Sequence, residues 1–135
     1  MFLNGMFNIN QKKSFLKLAK KFILTDGEIK KQEKEMLENM AVEMVVDEET
    51  LDLKKVLQKD VSKETLHDLL KAFDTKEVQD VVIMQMFIIA YADNNFAYEE
   101  SQFIDKIVAE FRLSNKKVKK IKSWVSRQFS LIREM

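Results

Sequence analysis

The chain contains no cysteine and no proline, with one histidine and two glycines in 135 residues. Without cysteine there are no disulfides, no thiolate metal ligands and no thiol redox chemistry. A single histidine excludes a multi-histidine zinc site within one chain. Sheets and hairpins depend on Gly, Pro and related turn residues, so their scarcity argues for an all-α fold. Long apolar runs are missing as well. The longest, Val81 to Ala92, includes Gln85 and falls well short of the ~20 residues that a spanning helix needs. The first residues, Met1 to Phe7, are apolar but few and carry no basic flank, so they do not read as a signal peptide. The expectation from these absences is a soluble, cytoplasmic protein.

What is present fits that class. Hydrophobic residues make up 46% and charged residues 33%, the balance of a globular domain. Residues 1–135 read as a single domain, able to bury about two-thirds of its unfolded surface. The stretch Val81–Ala92 is apolar on nearly every side and must be wrapped by other elements. Its Val and Ile content would also suit a strand, but its length and the lack of turn residues favour a buried helix.

Around this central helix the periodicity predicts a bundle of about seven helices. The first covers about residues 11–24, capped by Asn8 or Asn10, with Phe15, Leu18, Ala19, Phe22 and Ile23 on one stripe. The second covers about 30–46, and a short third follows Asp47, carrying Leu53, Val56 and Leu57. A fourth follows Ser62 as far as about Phe73. Asp74, with Glu77 three residues on, reads as the cap of the fifth, central helix. The sixth covers about 97–111. Ser114 caps the seventh, whose stripe is Val118, Ile121, Val125, Phe129 and Ile132, with Trp124 on its flank and read as packing.

Charge is unevenly spread. Residues 112–135 hold eight basic side chains and one acidic one, so with a net charge of +1 the remainder is acidic. The last helix, over residues 115–135, is therefore basic and amphipathic.

The chain also repeats itself. Laying Asp26 over Asp93 puts Glu33 on Glu100, Ile29 on Phe96, Met36 on Phe103, Leu37 on Ile104 and Met40 on Ile107. Both the apolar stripe and the Asp-to-Glu spacing survive the overlay. Two similar helix-turn-helix units follow, and if they pack about a pseudo-twofold axis their acidic turns meet on one side.

Two stretches carry a family likeness. One runs from Phe15-Leu16-Lys17-Leu18-Ala19 through Thr25-Asp26-Gly27-Glu28-Ile29 to Glu33 and Leu37. The other runs from Ala90-Tyr91-Ala92-Asp93 through Phe96 to Glu100 and Ile104. With the helix order between them, the chain over residues 10–115 resembles the tellurite-resistance TerB-like family and the related helical domain of some J-domain co-chaperones. The second copy has Asp93-Asn94 where the first has Asp26-Gly27, a departure that bears on loop shape. The resemblance implies a helical bundle, a cation-binding acidic face at Asp26, Glu33, Asp93 and Glu100, and a stress-response setting. Glu28 and Asn95 are neighbouring oxygen donors.

Two readings of the acidic turns stand side by side. Converging carboxylates repel one another, and a hard divalent cation, Ca²⁺ or Mg²⁺, relieves that repulsion. Alternatively Asp26 and Asp93 cap helices while Glu33 and Glu100 meet free N–H groups or nearby lysines. Neither turn is an EF-hand, since Lys30 and Ala97 stand where ligands belong.

The basic last helix, through Lys116, Lys117, Lys119, Lys120, Lys122 and Arg127, suits either a solvated face or a surface for an acidic protein, nucleic acid or anionic membrane. His67, beside Asp68 and near Glu64, reads as a surface residue. No nucleophile elbow, phosphate loop or HExxH stands in the sequence, and no small-molecule substrate is indicated. The sequence thus leads to a non-enzymatic accessory domain with an unidentified protein partner, weakly binding a divalent cation. The alternative is an interaction scaffold built on the basic helix.

Overall fold

The structure, a computed structural model, describes residues 6–26, 31–43, 55–56, 58–92 and 98–134. Among these the regular structure is helical and there is no strand. The order is α1 (Ile9–Ile23), a 3₁₀ turn (Leu24–Asp26), α2 (Lys31–Glu43), α3 (Leu66–Leu70), α4 (Lys76–Ala92), α5 (Tyr98–Phe111) and α6 (Asn115–Glu134). No helix of the described residues is long and apolar enough to cross a membrane.

Local chemistry explains the helix ends. Asn8 opens α1 with a reciprocal capping box: the Gln11 N–H donates to Asn8 Oδ1 at 2.8 Å, and the Asn8 N–H donates to Gln11 Oε1 at 2.9 Å. Two of the otherwise unpaired amide donors of the first turn are satisfied this way. Gln11 also reaches across the fold, its Nε2 donating to the Ala72 carbonyl at 3.1 Å. At α4 the cap is Thr75, whose Oγ1 accepts from the Val78 N–H at 3.3 Å, and not Asp74. The hydroxyl one residue later sits where it meets the first-turn amide. Ser114 caps α6 as expected, accepting from the Lys117 N–H at 3.2 Å.

The end of α5 is unusual. Arg112 has φ 55°, a left-handed conformation that normally falls to Gly. Its N–H donates to the Ala109 carbonyl and the Leu113 N–H to the Val108 carbonyl, both at 3.2 Å. These are the paired bonds of a Schellman termination, and Leu113 is buried beside the last turns.

The fourth predicted helix is shorter than its pattern suggested. It begins at Leu66, capped by Thr65, because Asp60 and Ser62 make a turn of their own, the Ser62 N–H donating to Asp60 Oδ1 at 2.9 Å. Leu69, Leu70 and Phe73 still face inward. The predicted third helix falls largely outside the described residues, which accounts for six helices against the seven expected.

The core runs through the whole bundle. Phe7 stacks between Phe15 and Phe73, each with ring centroids 5.5 Å away, and Phe73 meets Phe111 at 6.4 Å. On α4, Val81, Val82, Ile83, Met86, Phe87, Ile89 and Ala90 are all buried. The apolar central helix is wrapped as its composition requires, by α1, α5 and α6. Each of these side chains larger than Ala90 contributes about 1.5–3 kcal/mol through burial.

The internal repeat is visible in the helix boundaries. Under the Asp26–Asp93 overlay, Ile9 at the start of α1 falls on Lys76 at the start of α4, and Lys31 at the start of α2 falls on Tyr98 at the start of α5. Leu37 and Ile104, Met40 and Ile107 are buried in pairs.

Candidate functional site

Two carboxylates are buried among the described residues, Glu33 and Glu100, at 5% and 7% exposure. They occupy equivalent positions in the two units, each in the first turn of its helix. Placement there is favoured by the helix dipole, but burial of a carboxylate is costly without partners. Neither residue is without a partner.

The end of the first unit's leading helix also packs on the second unit. The 3₁₀ turn Leu24–Asp26 packs against α5. Phe22, just before that turn, meets Phe103 edge-on at 5.4 Å, and Phe103 lies one turn beyond Glu100. Thr25 closes the end of α1, its Oγ1 donating to the Phe22 carbonyl at 2.8 Å. The backbone carrying Asp26 therefore runs beside the helix that carries Glu100.

Of the six oxygen donors singled out in the sequence, Glu33 and Glu100 are described in full and Asp26 by its backbone alone. Glu28, Asp93 and Asn95 lie outside the described residues. Among the described residues, no group of three or more His, Asp or Glu side chains stands together as a metal site. Oxygen donors of this kind suit a hard cation, and the described part of the set comprises the two buried glutamates.

Elsewhere the charged side chains have structural work. His67 is exposed and pairs with Glu110, Nδ1 to Oε1 at 3.1 Å, rather than with Asp68 or Glu64. Glu64 instead holds Lys17 at 2.7 Å. The Asp60 carboxyl is held below the ordinary carboxylate range first by the Ser62 N–H, and that of Asp68 first by the Thr65 hydroxyl.

The structure adds a feature that the periodicity did not single out. Met84, Gln85 and Ile88 of α4 and Lys120, Ile121 and Trp124 of α6 line a groove of about 510 Å³. Trp124, expected to pack, is 50% exposed at its edge, and Leu131 is 53% exposed. The signal was present: these two residues are separated by two helical turns and lie outside the α6 core stripe.

A family model for tellurite resistance protein TerB matches residues 52–123. The match takes in α3, α4, α5 and the first part of α6, and it leaves Asp26, Glu28 and Glu33 upstream. No curated protein and no solved structure matches the chain significantly. The matched segment is more than half of the chain and folds as the helical bundle expected of that family, so this protein belongs to the TerB tellurite-resistance family.

Proposed function

We propose that the chain is a non-catalytic TerB-family domain that binds a divalent cation, Ca²⁺ or Mg²⁺, through its two acid-bearing helix starts, and that it serves as an accessory module in a stress response. The observation that carries this reading is the pair of buried glutamates, Glu33 and Glu100, at equivalent positions in the two units. Packing of the Leu24–Asp26 turn on α5 supports it. Burial disfavours the charged form of a carboxylate, and a bound cation offsets that cost. Lacking cysteine, the chain has no thiol of its own with which to reduce tellurite.

Calorimetric titration with Ca²⁺, Mg²⁺ and Mn²⁺ tests the proposal on the wild type and on Glu33→Gln with Glu100→Gln. The expected result is heat of binding and a thermal shift in the wild type alone. An ion at tenfold excess over its Kd stabilises the fold by about 1.4 kcal/mol. No heat and no shift at millimolar ion would sink the cation reading and leave the glutamates as helix-start residues.

A second reading has its own observation. Lys116, Lys119, Lys120 and Arg127 of α6 have no carboxylate partner among the described residues, which suits an interaction surface for an acidic protein, nucleic acid or anionic membrane. Binding to duplex DNA and to anionic vesicles at low and high salt tests it. Binding unchanged by Lys119→Glu with Lys120→Glu removes the helix from consideration.

A further inference from the structure

We propose that the groove between α4 and α6 receives an acidic amphipathic helix of a partner protein. The proposal rests on the second reading above, of α6 as an interaction surface, and goes further by naming the seat and the chemistry of its occupant.

The groove has fixed walls. At one end Lys117 of α6 holds Asp80 of α4 at 2.6 Å. At the other, Tyr91 of α4 meets Phe129 of α6 with ring centroids 6.2 Å apart. Because the early residues of both helices pair, as do the late ones, the two helices run in the same direction. From Asp80 to Tyr91 a helix rises about 16 Å, or roughly three turns. Between those ends the floor is apolar, made by Met84, Ile88 and Ile121, with Gln85 as a polar point. The hollow itself takes in about one turn of each helix, Met84 to Ile88 and Lys120 to Trp124, and a third helix laid along the seam between the two contacts can seat its ridge there.

Charge selects the occupant. Trp124 stands as a ridge, with the apolar hollow on one side and a basic hollow of about 430 Å³ on the other, lined in part by Lys116, Lys120 and Arg127. Lys120 borders both hollows. Helical spacing places Lys120 and Arg127 in a row alongside Trp124 and Leu131. A helix that puts apolar side chains at i, i+3 or i+4, and i+7 into the hollow brings the flanking row on its own surface over those cations. Complementarity requires Asp or Glu there.

The shape disfavours the other occupants. A membrane surface does not enter a concave groove, and a phosphodiester backbone gains nothing from an apolar floor. An added strand needs a sheet edge, and the described residues contain no strand.

The test uses the full chain and a phage-displayed library of random peptides of about 16 residues, long enough as a helix to span the seam from Asp80 to Tyr91. Enrichment of peptides with Asp or Glu flanking an i, i+3/i+4, i+7 apolar pattern is expected. Trp124 is the one tryptophan of the chain, so its emission should shift to the blue as the best labelled peptide binds. Ile88→Glu in the floor, and separately Lys120→Glu with Arg127→Glu at the rim, should each weaken that peptide about tenfold or more, with circular dichroism and melting checked for both. Several results overturn the proposal. One is enrichment of nothing, or only of peptides without the acidic helical pattern. Another is binding lost in the rim variant but kept in Ile88→Glu, which leaves α6 as a purely electrostatic surface. A dimer broken by Trp124→Glu assigns the groove to a second copy. A Trp124 shift with phosphatidylserine vesicles but with no peptide assigns it to a membrane. Loss of all binding, to peptide, DNA and vesicles alike, removes the underlying reading of α6 too.

Discussion

The two helix-turn-helix units cover the same face of their leading helix in opposite ways. On α1 that face is lysine: Lys17 Nζ reaches Glu64 Oε1 at 2.7 Å, Lys20 Nζ the Lys59 carbonyl at 2.7 Å, and Lys21 Nζ the Val61 carbonyl at 3.4 Å. The overlay puts these three residues on Met84, Phe87 and Ile88 of α4, the helix against which α6 packs. In the first unit a connecting segment is clamped by ammonium groups whose stems lie along the helix. In the second, a whole helix is held by apolar burial. Ion pairs and hydrogen bonds near the surface contribute about 0–1.5 kcal/mol each, whereas a buried large apolar side chain contributes about 1.5–3 kcal/mol. One backbone plan thus has a weak polar cover and a strong apolar one, and the apolar face that α6 leaves open becomes the groove beside Trp124.

The largest effect tests that contrast directly. Phe87→Ala, at a side chain only 3% exposed, should destabilise the fold by about 3–5 kcal/mol, while Lys20→Ala at the equivalent position, which loses an exposed hydrogen bond to the Lys59 carbonyl, should cost no more than about 1.5 kcal/mol. Urea denaturation measures both, and equal losses would erase the distinction between the covers.

Next in size is the equivalence of the buried acids. Glu33→Gln and Glu100→Gln, made singly, should each reduce Ca²⁺ affinity by about tenfold in calorimetry, a change of about 1.4 kcal/mol. An effect confined to one of them would mean that the units do not share an ion.

The caps of the two leading helices differ more modestly. Asn8→Ala breaks a reciprocal capping box and should cost about 1 kcal/mol. Thr75→Ala removes a single bond of 3.3 Å and should cost about half as much. Thermal melts of the two variants would show whether α1 depends on its cap more than α4, which is held by its core.

The smallest effect runs the other way. Arg112→Gly relieves the left-handed backbone at the end of α5 and should stabilise by roughly 0.5 kcal/mol, the steric gain being partly offset by a freer unfolded chain. A loss of stability in chemical denaturation would instead assign the Arg112 side chain a packing role.

Much of this was legible beforehand, for identifiable reasons. The α1 stripe through Phe15, Leu18, Ala19, Phe22 and Ile23 is buried as its spacing required. The all-round apolar character of Val81–Ala92 dictated a wrapped helix. Where local signals competed, boundaries slipped. Thr75 took the cap from Asp74, and the Asp60–Ser62 turn delayed α3 to Leu66. Glu33 and Glu100 were legible as matched positions, but their burial was not, because a first-turn glutamate looks the same in sequence whether it faces water or a neighbouring helix.

The sequence by itself determined the helical class, the central buried helix, the duplicated unit and the basic character of α6. All of these are periodic or compositional properties carried by residues close together in the chain. Only the tertiary structure decided that the Leu24–Asp26 turn lies against α5, that Lys17, Lys20 and Lys21 grip the 59–64 segment, and that α4 and α6 run side by side with a groove between them. Those outcomes depend on how side chains far apart in sequence fit when helices cross, a matter of shape and volume that no local pattern encodes.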